Sequence, residues 1–173
     1  MRFTLLASAL VASVSVLAAP TDLQTRSDLI VERQSAPVKP APCVRNPKTT
    51  PAQTEARFNE FAQAFIYKPD ISKAFSFIAK DYINHNPTVK NGSDAAWDAL
   101  SPFWNTAGIV PLRKAFLFPQ GWVNYNTSGF GEVVDRFRWE GGCIVEHWDQ
   151  NETFPSIPST QKPGGKSCPS RKH

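Results

Sequence analysis

The stretch from Asp135 to Asp149 constrains the fold more than any other part of the chain. It reads DRFRWEGGCIVEHWD, two short segments in which large apolar and charged residues alternate on either side of Gly141-Gly142. Glycine at both central positions is typical of a two-residue hairpin turn whose backbone needs positive φ. The stretch therefore predicts a β-hairpin whose two strands carry carboxylates, a histidine and tryptophans.

Regular pairing around this turn would divide the hairpin into two faces. The largely apolar face carries Asp135, Phe137, Trp139, Ile144, Glu146 and Trp148, and the other carries Val134, Arg136, Arg138, Val145, His147 and Asp149. The apolar face should turn toward the helices, where an unpaired carboxylate is costly. Asp135 and Glu146 therefore either pair with a cation, stay protonated, or line a wet cavity as general acids or bases. The alternatives are that these groups sit at the rim of the sheet or that the ladder is bulged. One β-bulge would exchange the faces of one strand and keep His147 and Asp149 as candidates.

A second polar motif, Asp81-Tyr82-Ile83-Asn84-His85-Asn86-Pro87, contains another candidate for acid–base chemistry. Ile83 and His85 share parity, so an inward Ile83 would bring His85 inward too. A neutral imidazole accepts a proton near neutral pH. The alternative is a core histidine that is bonded to a backbone carbonyl.

The N-terminus predicts export from the cell. Residues 1–18 combine Arg2, a short apolar run and small residues before a cleavage position after Ala18, which is typical of a secretory signal peptide. The run is too short for a membrane span, so we expect a secreted, extracellular protein without a membrane partner. Three sequons predict glycosylation at Asn91, Asn126 and Asn151.

The chain has three cysteines, Cys43, Cys143 and Cys168. In an oxidising compartment two of them should pair and leave one odd thiol. A Cys43–Cys168 disulfide would join the two segments that flank the patterned region and is the pairing we predict, although Cys143 could pair with either.

Composition shifts along the chain predict one domain between two tails. Residues 19–50 are a proline-rich linker or pro-segment, residues 51–154 form the domain, and residues 155–173 form a basic tail rich in proline and serine. The chain carries a net charge of +4, but residues 54–154 hold nine basic and twelve acidic residues. The positive charge therefore belongs to the signal and tails, and we expect no nucleic-acid partner.

Helical patterns precede strand patterns within this domain. Helices are expected from Pro51 to Lys68, from Asp70 to Ile78 and from Ser93 to Gly108, because apolar residues recur there at helical spacing between cap and stop signals. Strands are expected at 110–118, 122–126, 132–139 and 143–149. This order predicts an α+β fold with helices laid on one curved antiparallel sheet.

Aromatic residues are numerous enough to line an apolar cavity as well as to fill the core. The residues we expect to line it are Tyr82, Trp97, Trp104, Trp122, Phe137 and Trp148. The sequence has no glycine-rich phosphate loop, no paired-cysteine zinc pattern and no nucleophile elbow, so we predict no metal and no cofactor.

The motif from Asp81 to Pro87 and the hairpin from Asp135 to Asp149, in this order and spacing, resemble the SnoaL-like polyketide cyclase group of the NTF2-like superfamily. The resemblance covers roughly residues 54–150. It implies an α+β cone in which N-terminal helices pack in the mouth of a strongly curved antiparallel sheet, with a deep pocket between them. It also implies that His85, Asp135, His147 and Asp149 match recurring polar positions of the group.

The resemblance implies a cyclase, isomerase or lyase type of activity that needs no cofactor. Asp135, with Glu146 second, would take a carbon-bound proton from a small apolar carbonyl compound, and His85 would donate to the developing enolate oxygen. The alternatives on the same fold are a non-catalytic protein that binds a small apolar ligand and a homodimeric interaction protein that uses the face with Arg136, Arg138 and His147.

Overall fold

The computed structural model describes residues 36–156. The predicted signal peptide at 1–18, Cys168 and nearly all of the basic tail lie outside the described residues. No helix among the described residues is long and apolar enough to cross a membrane.

Three short helices precede and interrupt the sheet. α1 spans Pro51–Ala62 and continues as a π-helical turn, Gln63–Tyr67, α2 spans Ile71–Phe75, and α3 spans Ser93–Leu100, followed by a 3-10 turn at Trp104–Thr106. α1 begins where the sequence predicts, because Thr50 and Gln53 form a reciprocal capping box and Pro51 fits the first turn. The other two helices end earlier than predicted, at Phe75 and Leu100.

Five strands form one mixed sheet: β1 Ile78–Asn84, β2 Val110–Leu117, β3 Gln120–Thr127, β4 Gly131–Glu140 and β5 Cys143–Trp148, in the order β1-β5-β4-β3-β2. The predicted α+β class is confirmed, but β1 pairs with β5 in parallel, so the sheet is not wholly antiparallel. Parallel pairing is available here because the chain between β1 and β5 is long. Ile78, which the sequence assigned to a helix, instead begins β1.

Aromatic side chains join the helices to one face of the sheet. Phe61 is fully buried and packs edge-on against Phe137 and Trp139 at ring-centroid distances of 4.8 and 6.0 Å. Phe58 approaches β3 so closely that a Cβ at Gly121 would lie 2.6 Å from its ring. We call this helix-covered side of the sheet the inner face.

The β4–β5 turn is the predicted hairpin turn, but the ladder beyond it is irregular. Gly141 and Gly142 have φ of 55° and 78°, as the glycine pair predicts. Trp139 pairs with Ile144, whereas Arg138 pairs with Glu146. Pairing thus advances one residue on β4 and two on β5, which leaves Val145 as the additional residue of a β-bulge.

Residues 36–50 are attached to the sheet by a disulfide. Cys43 bonds to Cys143 and forms an isolated parallel bridge with Ala79 at the start of β1. The predicted Cys43–Cys168 pairing is therefore wrong. Cys43 and Cys143 meet because the N-terminal segment runs beside β1, which is itself the neighbour of β5, and this adjacency is invisible in the spacing of cysteines along the chain.

The segment after β5 contacts the other side of the sheet, which we call the outer face. Glu152 lies 2.9 Å from Arg136, and the guanidinium of Arg113 lies 4.2 Å above the ring of Phe154. Because Arg136 is on β4 and Arg113 on β2, the chain that follows β5 runs across several strands.

Candidate functional site

A cavity of about 520 Å³ lies between the helices and the inner face. Most of its wall is apolar. Its polar groups come from β1 and the segment after it, from Tyr125 on β3, from the β4–β5 hairpin, and from the residues that follow β5. The residues that line the cavity include Phe65, Tyr82, Asn84, Asn86, Trp104, Tyr125, Asp135, Phe137, His147 and Asp149.

The bulge at Val145 determines which hairpin residues reach this cavity. Beyond it, His147 pairs with Phe137 and Glu146 pairs with Arg138. Because directly opposed residues share a face, His147 joins Asp135 and Phe137 on the inner face, and Asp149 follows by alternation. Regular pairing would have put Glu146 inside and His147 outside. That assignment is wrong, and the bulged alternative is the one observed.

Asp135 is the most deeply buried carboxylate of the site, with 5% of its side chain exposed. Its Oδ2 accepts a hydrogen bond of 2.8 Å from the Tyr125 hydroxyl, and its Oδ1 lies 3.1 Å from His147 Nε2. Both carboxylate oxygens are therefore partnered, as a buried carboxylate requires.

The orientation of the His147 ring is fixed from its other side by Asn84. Asn84 Oδ1 accepts the backbone N–H of Asn86 at 3.1 Å and also lies 3.1 Å from His147 Nδ1. An oxygen at this position is an acceptor, so Nδ1 carries a proton and donates it to Asn84. His147 Nε2 is then the atom that faces Asp135.

Asp149 lies beside this pair. One ligand atom from each of Asp135, His147 and Asp149 falls within 4.8 Å of the others, and in the described residues these are the groups that could hold a metal ion. The 3.1 Å contact between Asp135 and His147 already satisfies both atoms if one proton lies between them. Asp149 Oδ2 accepts a hydrogen bond of 2.6 Å from Asn86 Nδ2.

The two tyrosines of the cavity stay protonated to high pH. Burial, followed by the negative charges of Asp135 and Asp149, raises the pKa of Tyr82 well above its ordinary value of 10.0. Burial and Asp135 raise the pKa of Tyr125 in the same way. Among the described residues the Tyr82 hydroxyl has no hydrogen-bond partner, whereas that of Tyr125 is bonded to Asp135. Tyr82 is therefore available as a donor to a ligand.

His85 and Glu146 meet, but away from the cavity. His85 Nε2 lies 3.3 Å from Glu146 Oε2, the His85 ring stacks on Trp148 at 4.5 Å, and 41% of the His85 side chain is exposed. Ile83 is 40% exposed and does not point inward, so the inward direction that we expected for His85 is wrong. Tyr82, Asn84 and Asn86 point inward, and His85 points outward with Ile83.

The predicted lining residues divide into two groups. Tyr82, Trp104 and Phe137 line the cavity, whereas Trp97, Trp122 and Trp148 do not. Trp97 packs edge-on against Phe75 at 5.2 Å, between α3 and α2. Trp122 pairs with Arg136 in the β3–β4 ladder and Trp148 with Arg136 in the β4–β5 ladder, which places both on the outer face.

Sequence reasoning missed Tyr125, Asn84 and Asn86. Asn84 and Asn86 share the parity of Tyr82, which was predicted to line the cavity, and this shared parity is the signal that could have found them. Tyr125 shares the parity of the apolar residue Val123, which is fully buried on the inner face, and this shared parity within β3 is the signal for Tyr125.

The three sequons lie on described residues. Asn91 and Asn151 are exposed, and Asn126 is partly buried near the end of β3. The Asn91 side chain accepts the backbone N–H of Asn84 at 2.9 Å.

No family model and no curated protein matches this chain. Solved structures that are similar to it include three bacterial proteins, each 16% identical to the chain. The match to a protein from Kribbella flavida DSM 17836 covers 53% of this chain and 80% of that protein, with a TM-score of 0.44. The match to TsrD from Streptomyces laurentii covers 57% of this chain and 87% of TsrD, with a TM-score of 0.43. A third match is to an NTF-2 like protein of unknown function from Burkholderia xenovorans LB400. It covers 62% of this chain and 88% of that protein, with a TM-score of 0.46. NTF2-like proteins are thus among the structural neighbours of this chain.

Proposed function

We propose that this protein is a secreted proton-transfer enzyme of the cyclase or isomerase type, acting on a small apolar carbonyl compound in the cavity. The observation that carries the proposal is the 3.1 Å contact between Asp135 Oδ1 and His147 Nε2 in the wall of an apolar cavity. Acid–base groups in such surroundings are a common feature of enzymes that move protons to and from carbon.

The Asp135–His147 pair can serve as base and acid in turn. With Nδ1 donating to Asn84, the proton between the pair belongs either to Nε2, beside a carboxylate, or to Oδ1, beside a neutral imidazole. Moving that proton across 3.1 Å converts Asp135 from a base to an acid without changing the net charge of the pair. A buried site favours such a transfer because no charge has to enter or leave it.

The proposed reaction begins when the Asp135 carboxylate takes a proton from the carbon next to the substrate carbonyl. The electron pair of the broken C–H bond forms a carbon–carbon double bond and moves the carbonyl electrons onto oxygen. Tyr82 donates a hydrogen bond to this oxygen, the role that the sequence gave to His85. In an isomerisation, the proton then returns to a different carbon of the substrate. In a cyclisation, the enolate carbon instead forms a bond to a second carbonyl carbon of the substrate, and the oxygen of that carbonyl takes the electron pair of the broken C=O π bond and the proton.

Tyr125 and Asn84 act as positioning residues. The Tyr125 hydroxyl donates a hydrogen bond of 2.8 Å to Asp135 Oδ2. Asn84 accepts from Nδ1 of His147 and so holds the ring in the orientation that points Nε2 at Asp135. Orientation of this kind matters because proton transfer requires donor and acceptor within hydrogen-bond reach.

Export and glycosylation belong to the same proposal. The Cys43–Cys143 disulfide supports an oxidising compartment, as the predicted signal peptide at 1–18 requires. The exposure of Asn91 and Asn151 supports N-glycans at these two positions. The outer face retains Arg136 and Arg138 as groups for the predicted homodimer, but His147 is no longer among them.

Hydrogen–deuterium exchange at carbon tests the proposal without knowledge of the natural substrate. In deuterated buffer, 1-tetralone should exchange the protons next to its carbonyl faster with the protein than without it, as followed by NMR. Asp135→Asn should lower the protein-dependent rate by about 10²–10⁴-fold. Glu146→Gln is the matched control, since it makes the same change on the outer face and should leave the rate unchanged.

Exchange at the buffer rate across a series of apolar ketones, together with binding of those ketones, would instead favour the non-catalytic binding protein. Equal rates for the wild-type protein and Asp135→Asn would remove Asp135 from the reaction.

A further inference from the structure

Asp149 differs from the other shielded carboxylates in its surroundings. Within residues 36–156, four carboxylates are not exposed, and three of them contact a cationic or imidazole group: Asp135 with His147, Glu146 with Arg138 and Glu152 with Arg136. Asp149 has no such group within ion-pair distance among these residues. A shielded negative charge without a counter-charge is a feature that proteins rarely leave uncompensated.

The protein supplies Asp149 with one neutral hydrogen bond. Asn86 Nδ2 donates to Oδ2, and the Asn86 amide is held in this orientation because its Oδ1 accepts from both the backbone N–H and the hydroxyl of Thr88 at 2.8 and 2.6 Å. The other oxygen, Asp149 Oδ1, is buried and has no partner among the described residues. His147 contributes one ring nitrogen within 4.8 Å of Asp149, but that ring already pairs with Asp135, so a ligand in the cavity is the remaining source of a positive group for Asp149.

The rest of the cavity wall suits a cation of low polarity. None of the described lining residues is a lysine or an arginine, so no permanently cationic side chain in the wall would repel a positive group or pair with an anionic one. Phe65 and Trp104 stack on each other at 4.3 Å, and the ring of Tyr125 lies 5.8 Å from Trp104. Aromatic rings attract ammonium groups through their negatively polarised faces.

We infer that the ligand of this cavity carries a basic nitrogen, whose ammonium group compensates the charge of Asp149, on an apolar, partly aromatic body that packs against Phe65 and Trp104. The inference rests on the cavity being the ligand site of the proposed function, but not on catalysis there. If both hold, the substrate is an amino-substituted carbonyl compound, and we expect no substrate that carries a free carboxylate or a phosphate group.

Three probes that share one ring system and differ in charge test this inference. They are 2-naphthylmethylamine, which is protonated at pH 7, the neutral 2-naphthylmethanol, and the anionic 2-naphthoate, with each dissociation constant measured by calorimetry. We expect the amine to bind about tenfold or more tightly than the alcohol, as one charge-assisted contact implies, and the naphthoate to bind most weakly.

The variants Asp149→Asn and Asp98→Asn locate the effect. Asp149→Asn removes the charge and should abolish the preference for the amine over the alcohol, whereas Asp98→Asn, an exposed position of α3 outside the cavity, should preserve it. If Asp149→Asn unfolds, the order of the three probes on the wild-type protein still decides the question. Binding of the alcohol or the naphthoate as tight as that of the amine would overturn the inference, and so would an unchanged preference in a folded Asp149→Asn protein.

This result is separable from the proposed function. Loss of ketone exchange on Asp135→Asn concerns catalysis, whereas the order of the probes concerns charge. Failure of all three probes to bind would overturn the inference about charge, whereas ketone exchange that depends on Asp135 would still support the proposed function.

Discussion

His147 lies opposite Phe137 in the β4–β5 ladder, one position away from where regular pairing would put it. This displacement turns the imidazole to the inner face and places its Nε2 3.1 Å from Asp135. It also turns Glu146 outward, where Arg138 and His85 contact it. The acid–base chemistry proposed for the cavity depends on this single additional residue, Val145.

Removal of the disulfide should weaken the fold substantially. Cys43 and Cys143 are 100 residues apart, and closing a loop of that length restricts the unfolded chain strongly. We expect the double variant Cys43→Ala/Cys143→Ala to lose about 2–5 kcal/mol in the free energy of unfolding, measured by urea denaturation. Cys168→Ala serves as the control and should leave the midpoint unchanged. A peptide map in which Cys168 is linked to either of the other two cysteines would contradict the assignment.

Phe58→Ala should destabilise the protein without altering the cavity. Phe58 is 1% exposed, stacks on Phe116 at 5.3 Å and meets Trp139 edge-on at 6.2 Å. We expect a loss of about 3–5 kcal/mol in the free energy of unfolding. Phe118, which is 54% exposed, is the matched control, and Phe118→Ala should cost less than about 1 kcal/mol. Equal losses for the two variants would show that the helix does not pack on the sheet as described.

Alkaline titration should show that the two buried tyrosines, Tyr82 and Tyr125, ionise only well above pH 10. The chain has three tyrosines, and the pKa values of Tyr82 and Tyr125 are raised above 10.0 by burial and by Asp135. The stability that these phenols contribute is therefore complete below pH 10 and falls as the pH rises toward their folded-state pKa values. Absorbance of phenolate near pH 10 should account for no more than one residue until the protein unfolds. Three phenolates in the folded protein at that pH would refute the placement of both rings.

Glu146→Gln should reduce stability in a pH-dependent way. Burial opposes ionisation of Glu146, but hydrogen bonds from Arg138 and His85 outweigh it and hold its pKa below the ordinary value of 4.5. Its contribution is then present above about pH 4.5 and is lost as the pH falls through the lower folded-state pKa. We expect the wild-type protein to exceed the variant by at most about 1 kcal/mol at pH 7, and the difference to shrink at pH 3. A difference that grows on acidification would mean that Glu146 is not ionised beside Arg138.

Local signals predicted the elements better than they predicted the site. Thr50 and Pro51 mark the start of α1, and Gly141-Gly142 marks the hairpin turn, because caps and turns are determined by residues that are adjacent in sequence.

The faces of the strands depended on contacts that a sequence does not display. The additional residue Val145 packs with Ala79 and Cys143, and Cys43 of the N-terminal segment packs against the same cluster and bonds to Cys143. The inward direction of Asn84 rather than His85 follows from the pairing of β1 with β5, where Asn84 lies beside His147. Both features arise from neighbours that are tens of residues distant.

The most direct test of the account is whether Asp135 and His147 act as one unit in proton transfer. Exchange of 1-tetralone protons in deuterated buffer should be measured for Asp135→Asn, for His147→Gln and for the double variant, each with its fold verified by circular dichroism. Because residues that act together lose their function together, the double variant should exchange within about twofold of the slower single variant. Losses that multiply in the double variant would show that the two side chains act independently, and the proposed pair would be wrong.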